Sequence, residues 1–255
     1  MARYERPQND HSRVTFLKRS ITTGSQDIES GNSYVSAETL SAIKGFLPDF
    51  EEAVAAVSEK LGARSKEVRE RAVAMERVSR YTRDLWAVLK RRASRLGEPV
   101  EVLTFYRLSL DGTVPLPTNR KQWLTLAALV VKGDADAVAA GYPAMINPSA
   151  AELQTVLDEA RSESDDVAMA DRAYDIAQKA VHALRAQADE LIADVMAELR
   201  FNLRKRDTPS RRRIMRTYGA TYSYLAGEPV DEDDPVDADD AVDADDAAAE
   251  AKADV

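Results

Sequence analysis

The stretch that decides the fold is residues 149–202, SAAELQTVLDEARSESDDVAMADRAYDIAQKAVHALRAQADELIADVMAELRFN. Apolar or small residues recur in it at alternating steps of three and four. This 3.5-residue repeat is typical of a helix that packs against another in a coiled coil. Glu163 is the one charged member of the seam. The other seam positions are Leu153, Val156, Ala160, Val167, Ala170, Tyr174, Ala177, Val181, Leu184, Ala188, Leu191, Val195 and Leu199 or Asn202.

Strong start signals precede this seam. Asn147 is a suitable helix cap, and Pro148 suits the first helical position. Ser149 and Glu152 have the spacing of a capping box, in which each side chain satisfies a backbone amide of the other. We therefore predict one helix that runs to about residue 206.

A second long helix is predicted upstream, over residues 50–96. Its seam is interrupted by Arg64 and Thr82, and Gly97 is a natural helix stop. A shorter helix through Leu47 precedes it, and Pro48 either separates the two or kinks one continuous helix. The apolar or small seam positions are Phe50, Val54, Val57, Leu61, Val68, Met75, Trp86, Leu89, Ala93 and Leu96.

The two long helices carry opposite charge. Residues 49–96 contain 12 Lys or Arg and 8 Asp or Glu, a net of +4, whereas residues 149–199 contain 4 and 12, a net of −8. Opposite charge favours pairing of these helices with each other. The segment between them is long enough to reverse the chain, so the sequence predicts an antiparallel hairpin.

The predicted fold class is all-α: an elongated helical bundle on this antiparallel, coiled-coil-like hairpin, with short helices between and short strands near both ends. Gly and Pro divide the middle segment into short helices over residues 120–132 and 134–140, the second capped by Asp134. The predicted domains are an extended N-terminal arm over 1–35, the helical bundle over 36–219, a short strand or extended segment over 220–227 and a disordered acidic tail over 228–255. Within the arm, residues 13–21 are a candidate strand or extended segment.

Composition limits the class of protein. The chain has 255 residues and no cysteine, which excludes disulfides, thiolate zinc sites and a cysteine nucleophile. The longest apolar run is too short to cross a bilayer, and the first residues lack an apolar signal-peptide core. These features predict a cytoplasmic protein with no membrane partner. The net charge of −9 comes from the tail, because residues 228–255 contain 13 acidic residues and one lysine.

Motifs for catalysis are not found in the sequence. His182 cannot form the Glu-x-x-His motif of di-iron helical bundles, since position 179 is Lys, and His11 lies in a polar leader. Acid pairs such as Asp171/Asp175 and the series Glu190/Asp194/Glu198 are expected to face solvent or arginines. Phosphate-binding loops, dinucleotide fingerprints and serine elbows are also missing. We predict no enzyme activity and no catalytic, cofactor or metal site.

The sharpest local feature is a basic cluster within residues 200–216. It is opposed only by Asp207, and Tyr218 and Tyr222 follow it. Such a cluster can bind nucleic-acid phosphates, or stabilise a helix end and pair with acids of this or a neighbouring subunit. Its members are Arg200, Arg204, Lys205, Arg206, Arg211, Arg212, Arg213 and Arg216.

Two functional hypotheses follow. The first is a non-catalytic structural protein whose helical subunit self-associates into a homo-oligomer, filament or particle. The alternative is a nucleic-acid-associated protein that uses the basic cluster, with the acidic tail as an internal competitor.

Overall fold

The computed structural model describes residues 2–224, which are mostly helical. The predicted all-α fold, with two long helices packed closely and short strands near both ends, is confirmed. No helix in this part of the chain is long and apolar enough to cross a membrane. The predicted disordered tail lies outside the described residues. In chain order the elements are β1 (Arg3–Glu5), α1 (Asp10–Glu29), α2 (Ala37–Leu96), α3 (Val102–Phe105), α4 (Arg120–Ala139), α5 (Ala150–Asn202), α6 (Thr208–Thr217) and β2 (Thr221–Ser223).

The described chain forms two compact units. Residues 2–54 with 183–224 form the terminal unit, and Ala55–His182 forms the central unit. The boundaries fall inside α2 and α5, where no linker-like composition marks them. The predicted single bundle domain over 36–219 stays a prediction.

The predicted extended N-terminal arm is wrong for residues 10–29, which form α1. Asn9 caps this helix: its side chain accepts a hydrogen bond from the Ser12 amide at 2.7 Å. The β-branched residues and Gly24 make the stretch a poor helix former, but burial of its apolar side overrides that preference. Gly24 has a packing role, because a Cβ there would lie 2.8 Å from the Leu40 side chain on α2.

Pro48 neither ends nor divides α2, which is continuous from Ala37 to Leu96. Proline inside a helix costs about 3 kcal/mol through a lost hydrogen bond and a steric clash. Pro48 lies on the exposed side, while Leu47 and Phe50 on either side are buried in the terminal unit. The rings of Phe46 and Phe50 stack at 5.5 Å. We attribute the continuity of the helix to this burial.

Within the short strand or extended segment predicted over 220–227, the strand β2 is present at Thr221–Ser223. It pairs antiparallel with β1, with Tyr4 opposite Tyr222. The candidate strand or extended segment at residues 13–21 is wrong, because that stretch belongs to α1. The two strands bring the start and the end of the described chain together.

In the central unit, α2 and α5 run antiparallel. Arg64 forms an ion pair with Asp171 at 2.6 Å, and Arg77 forms one with Glu159 at 2.5 Å. The later residue on α2, Arg77, pairs with the earlier residue on α5, Glu159, so the two helices run in opposite directions. The predicted capping box is also confirmed, since the Ser149 amide donates to Glu152 at 2.7 Å. The helix begins after Pro148, at Ala150, and ends at Asn202.

The two predicted short helices at 120–132 and 134–140 are in fact one helix, α4. Gly133 does not break it, because glycine is needed there for close packing. A Cβ on Gly133 would lie 1.9 Å from the Phe105 carbonyl oxygen. Asp134 is a buried residue of this helix, not the predicted cap.

A buried polar network joins α2, α3 and α4 in the central unit. The Trp86 indole donates to the Tyr106 carbonyl at 2.9 Å, and the Tyr106 hydroxyl donates to Asp134 at 2.6 Å. The Met145 amide donates to the same Asp134 oxygen at 3.0 Å. Buried polar groups require such partners, so the network fixes how these segments pack.

Because two tyrosine hydroxyls are buried, we predict that the protein loses stability at alkaline pH. The Tyr106 hydroxyl donates to Asp134, and the Tyr218 hydroxyl donates to Asp27 at 2.6 Å. Burial is the main cause, and these hydrogen bonds the second cause, that raise the pKa of both hydroxyls well above the usual range. Above about pH 10 the unfolded chain loses these protons while the folded chain keeps them. We expect the free energy of unfolding to fall by up to about 1.4 kcal/mol per pH unit for each tyrosine.

Denaturant titrations between neutral and strongly alkaline pH measure this slope. In Tyr106→Phe the slope should be shallower, whereas Tyr174→Phe, at a half-exposed ring, should keep it. Equal slopes in Tyr106→Phe and the unaltered chain would contradict the assignment.

Candidate functional site

The basic cluster lies in the terminal unit, at the end of α5, in the turn after it and along α6. Asp207 caps α6, accepting from the Ser210 amide at 3.0 Å. That bond is the main reason why the pKa of Asp207 is lowered. Leu203 before the turn and Met215 on α6 are buried and anchor the segment to the unit. The arginines are thereby held on a fixed surface.

Three members of the cluster come together at one groove. Arg200 from α5 and Arg211 and Arg212 from α6 line a cavity of about 360 Å³, hereafter the arginine groove. Among residues 2–224, no acidic side chain lines this groove. The remaining lining residues are Ala2, Tyr4, Thr208, Met215 and Tyr222.

The other basic residues of the cluster do not line this groove. Arg206 donates to the Tyr34 hydroxyl at 2.7 Å, and the Arg204 guanidinium stacks 4.0 Å from the centre of the Phe201 ring. Lys205 and Arg213 are exposed. Three of the eight predicted cluster residues therefore line the groove, and the other five do not.

Tyrosine rings lie against several of these arginines. Arg200 lies 5.6 Å from the centre of the Tyr4 ring, and Arg216 lies 5.4 Å from that of Tyr222. Arg216 also donates to the Tyr224 hydroxyl. Cation–π contacts of this kind hold a guanidinium in place without neutralising it.

Tyr4 is the residue of the groove that sequence reasoning missed. It lies almost 200 positions before the cluster, and only the pairing of β1 with β2 brings it there. Its hydroxyl is buried and has no hydrogen-bond partner among the described residues. Burial raises the pKa of Tyr4, and Arg200 opposes that rise. A protonated hydroxyl beside arginines is a donor that lacks an acceptor.

A second groove of about 250 Å³ adjoins Tyr4 and Arg200 but differs in charge. Asp189 lies in it and accepts two hydrogen bonds from the Arg13 guanidinium, at 2.8 and 3.2 Å. This bidentate pair neutralises Arg13 within the second groove, whose lining also contains Arg6 and Arg200. Of these two grooves, as residues 2–224 line them, the arginine groove is the one that has cations and no acidic residue in its lining.

The acidic series of the sequence are divided among structural contacts. Asp171 pairs with Arg64, and Glu198 accepts from the Ser36 hydroxyl at 3.0 Å near the start of α2. His11 and His182 are exposed.

One acidic grouping was not predicted from the sequence. In the central unit, oxygens of Glu67, Glu163 and Asp166 all lie within 4.8 Å of one another. Glu67 is on α2 and the other two on α5, so sequence spacing gives no signal for it. Half-buried carboxylates of this kind are common on helical surfaces, and we assign no ligand to them.

Comparisons with known proteins add no identity to this geometry: no protein family, curated protein or solved structure matches the chain.

Proposed function

We propose that the protein is a non-catalytic, cytoplasmic structural subunit that self-associates into a homo-oligomer, filament or particle. The observation that carries this proposal is that few residues are buried along part of the α2–α5 helix pair in the central unit. Over residues 55–73 of α2 not one residue is buried. Over 163–182 of α5 the buried residues are Val167, Ala177 and Val181. A helix pair of this kind has too little core of its own.

Large apolar side chains lie on this pair away from the seam. Val73 on α2 is 60% exposed, and Met169 and Ile176 on α5 are 58% and 69% exposed. Met169 and Ile176 are seven residues apart and so share one face of the helix. Apolar surface exposed to water favours association. A second copy that covers this face would remove it from water.

The charges of the pair favour a second copy as the partner. Residues 55–73 contain five Lys or Arg and three Glu, whereas residues 163–182 contain two Lys or Arg and five Asp or Glu. A two-fold related copy can place its acidic α5 stretch on the basic α2 stretch, and the same contact then occurs twice. Such complementarity sets register and partner choice.

The test is the mass of the full chain by light scattering coupled to size exclusion. We expect a defined oligomer or larger particle at tens of micromolar, and a monomer for the double variant Met169→Glu with Ile176→Glu. Far-UV circular dichroism checks that the double variant keeps its helices. A monomeric full chain across salt concentrations would contradict the proposal.

A matched control separates this face from general surface hydrophobicity. Leu116 and Ile146 are 81% and 84% exposed in connecting segments of the central unit. Leu116→Glu with Ile146→Glu removes similar apolar surface and adds the same charge, and should leave the mass unchanged. If both double variants dissociate alike, the helix pair is not the interface.

A second candidate function is nucleic-acid association through the arginine groove. Arginines that bind phosphates beside tyrosine rings that can stack on bases are the two components of single-strand recognition. This alternative requires oligonucleotide binding that falls steeply with salt and is lost when Arg200 and Arg211 are replaced.

A further inference from the structure

The arginine groove presents several hydrogen-bond donors with positive charge, so it suits an anion that supplies several acceptor oxygens. Among residues 2–224, neither Arg200 nor Arg211 has a carboxylate within ion-pair distance. Tyr4 also lines the groove, and its buried hydroxyl has no hydrogen-bond partner among the described residues. Guanidinium groups bind carboxylates in bidentate geometry. A short run of carboxylates supplies the matching acceptors.

We propose that residues 228–234 of the same chain bind in the arginine groove and shield it from other polyanions. This segment reads EPVDEDD, with five acids in seven residues. The inference does not depend on the proposed self-association, since it concerns a different surface.

The reach of the chain supports binding within one molecule. β2 ends at Ser223 beside the groove, where Tyr222 is part of the lining, and the acidic segment begins five residues later. Five residues span at most about 18 Å when extended. A short tether holds its ligand at an effective concentration of about millimolar, well above that of most free competitors. The tail therefore occupies the groove first.

Charge favours the tail over nucleic acid as the resident ligand. The cavity of about 360 Å³ has room for a few carboxylates. A tail with 13 acidic residues and one lysine also repels nucleic acid near the groove. Single exposed ion pairs are weak, so the docking depends on several pairs at once and on the tether.

The test uses full-length proteins and a fluorescent peptide with the sequence of residues 228–240, followed by fluorescence anisotropy. Neutralising the segment should expose the groove and strengthen peptide binding by about tenfold, because the tethered competitor is removed. Binding should weaken as salt rises. The proximal variant carries Glu228→Gln, Asp231→Asn, Glu232→Gln, Asp233→Asn and Asp234→Asn.

A distal variant removes the same number of charges farther along the tail and should bind the peptide like the unaltered chain. In the proximal variant, Arg200→Gln with Arg211→Gln should abolish peptide binding. Arg19→Gln with Lys44→Gln, at exposed cations of the same unit, should preserve it. The distal variant carries Asp243→Asn, Asp245→Asn, Asp246→Asn, Glu250→Gln and Asp254→Asn.

Three results would overturn the inference. The first is equal peptide binding by the proximal variant and the unaltered chain, and the second is no peptide binding by either. The third is tighter binding of a single-stranded oligonucleotide than of the peptide by the proximal variant, which would make the groove a nucleic-acid site. Self-association of the full chain can stand or fall independently, because its readout is mass.

Discussion

Gly133→Ala should destabilise the central unit by about 3 kcal/mol or more, a loss at the upper end of the range for overpacked cores. The added Cβ would lie 1.9 Å from the Phe105 carbonyl oxygen and 2.7 Å from the carbonyl carbon. That backbone cannot move away easily, because the next residue, Tyr106, is held by Trp86 and Asp134. α4 must therefore separate from α3.

Tryptophan fluorescence measures this loss selectively, since Trp86 and Trp123 both belong to the central unit. Gly62→Ala on α2 is the matched control, because no atom lies within 4 Å of its added Cβ. Replacing an exposed helical glycine by alanine should raise stability by up to about 1 kcal/mol. Opposite signs for the two substitutions are expected. A neutral Gly133→Ala would show that α3 is not held as we describe.

Gly133 also shows why the long helices could be predicted from the sequence and the middle of the chain could not. The α5 seam is a repeat over many turns, and its positions Leu153, Val156 and Ala160 are buried as predicted. A glycine has two opposite uses, as a helix stop and as a point of close packing. Only the neighbouring backbone at Phe105 decides between them, and that neighbour lies 28 positions away in sequence.

The same limit applies to the candidate site. The arginines within residues 200–216 can be recognised from the sequence because they are close together in it. The groove also needs Tyr4, which only the β1–β2 pairing brings to it. α1 illustrates the reverse error: the sequence predicted an extended arm there, but burial of Phe16 and Leu17 stabilises a helix. Local preference is weak where tertiary burial is large.

Asp134→Ala should cost the central unit about 3 kcal/mol. Its Oδ1 accepts from both the Tyr106 hydroxyl and the Met145 amide, and removing it leaves two donors without partners at a buried site. Each buried unsatisfied group costs about 1–3 kcal/mol, and relief from burying the carboxylate offsets part of the sum. Asp134→Asn keeps an acceptor oxygen, so its loss should be smaller.

Asp136→Ala is the natural control, because Asp136 lies on the same helix but is exposed, and its loss should stay within about 0.5 kcal/mol. Tyr106→Phe combined with Asp134→Ala should cost less than the sum of the two single changes, since one hydrogen bond is counted in both. Denaturant unfolding followed by tryptophan fluorescence gives the free energy of unfolding of each of these variants. Equal losses for Asp134→Ala and Asp136→Ala, or strict additivity in the double variant, would mean that the network does not hold α3 against α4. Non-additivity would instead establish that α4 is fixed by a buried acceptor at a position whose sequence context, Asp after Gly, is typical of a helix start.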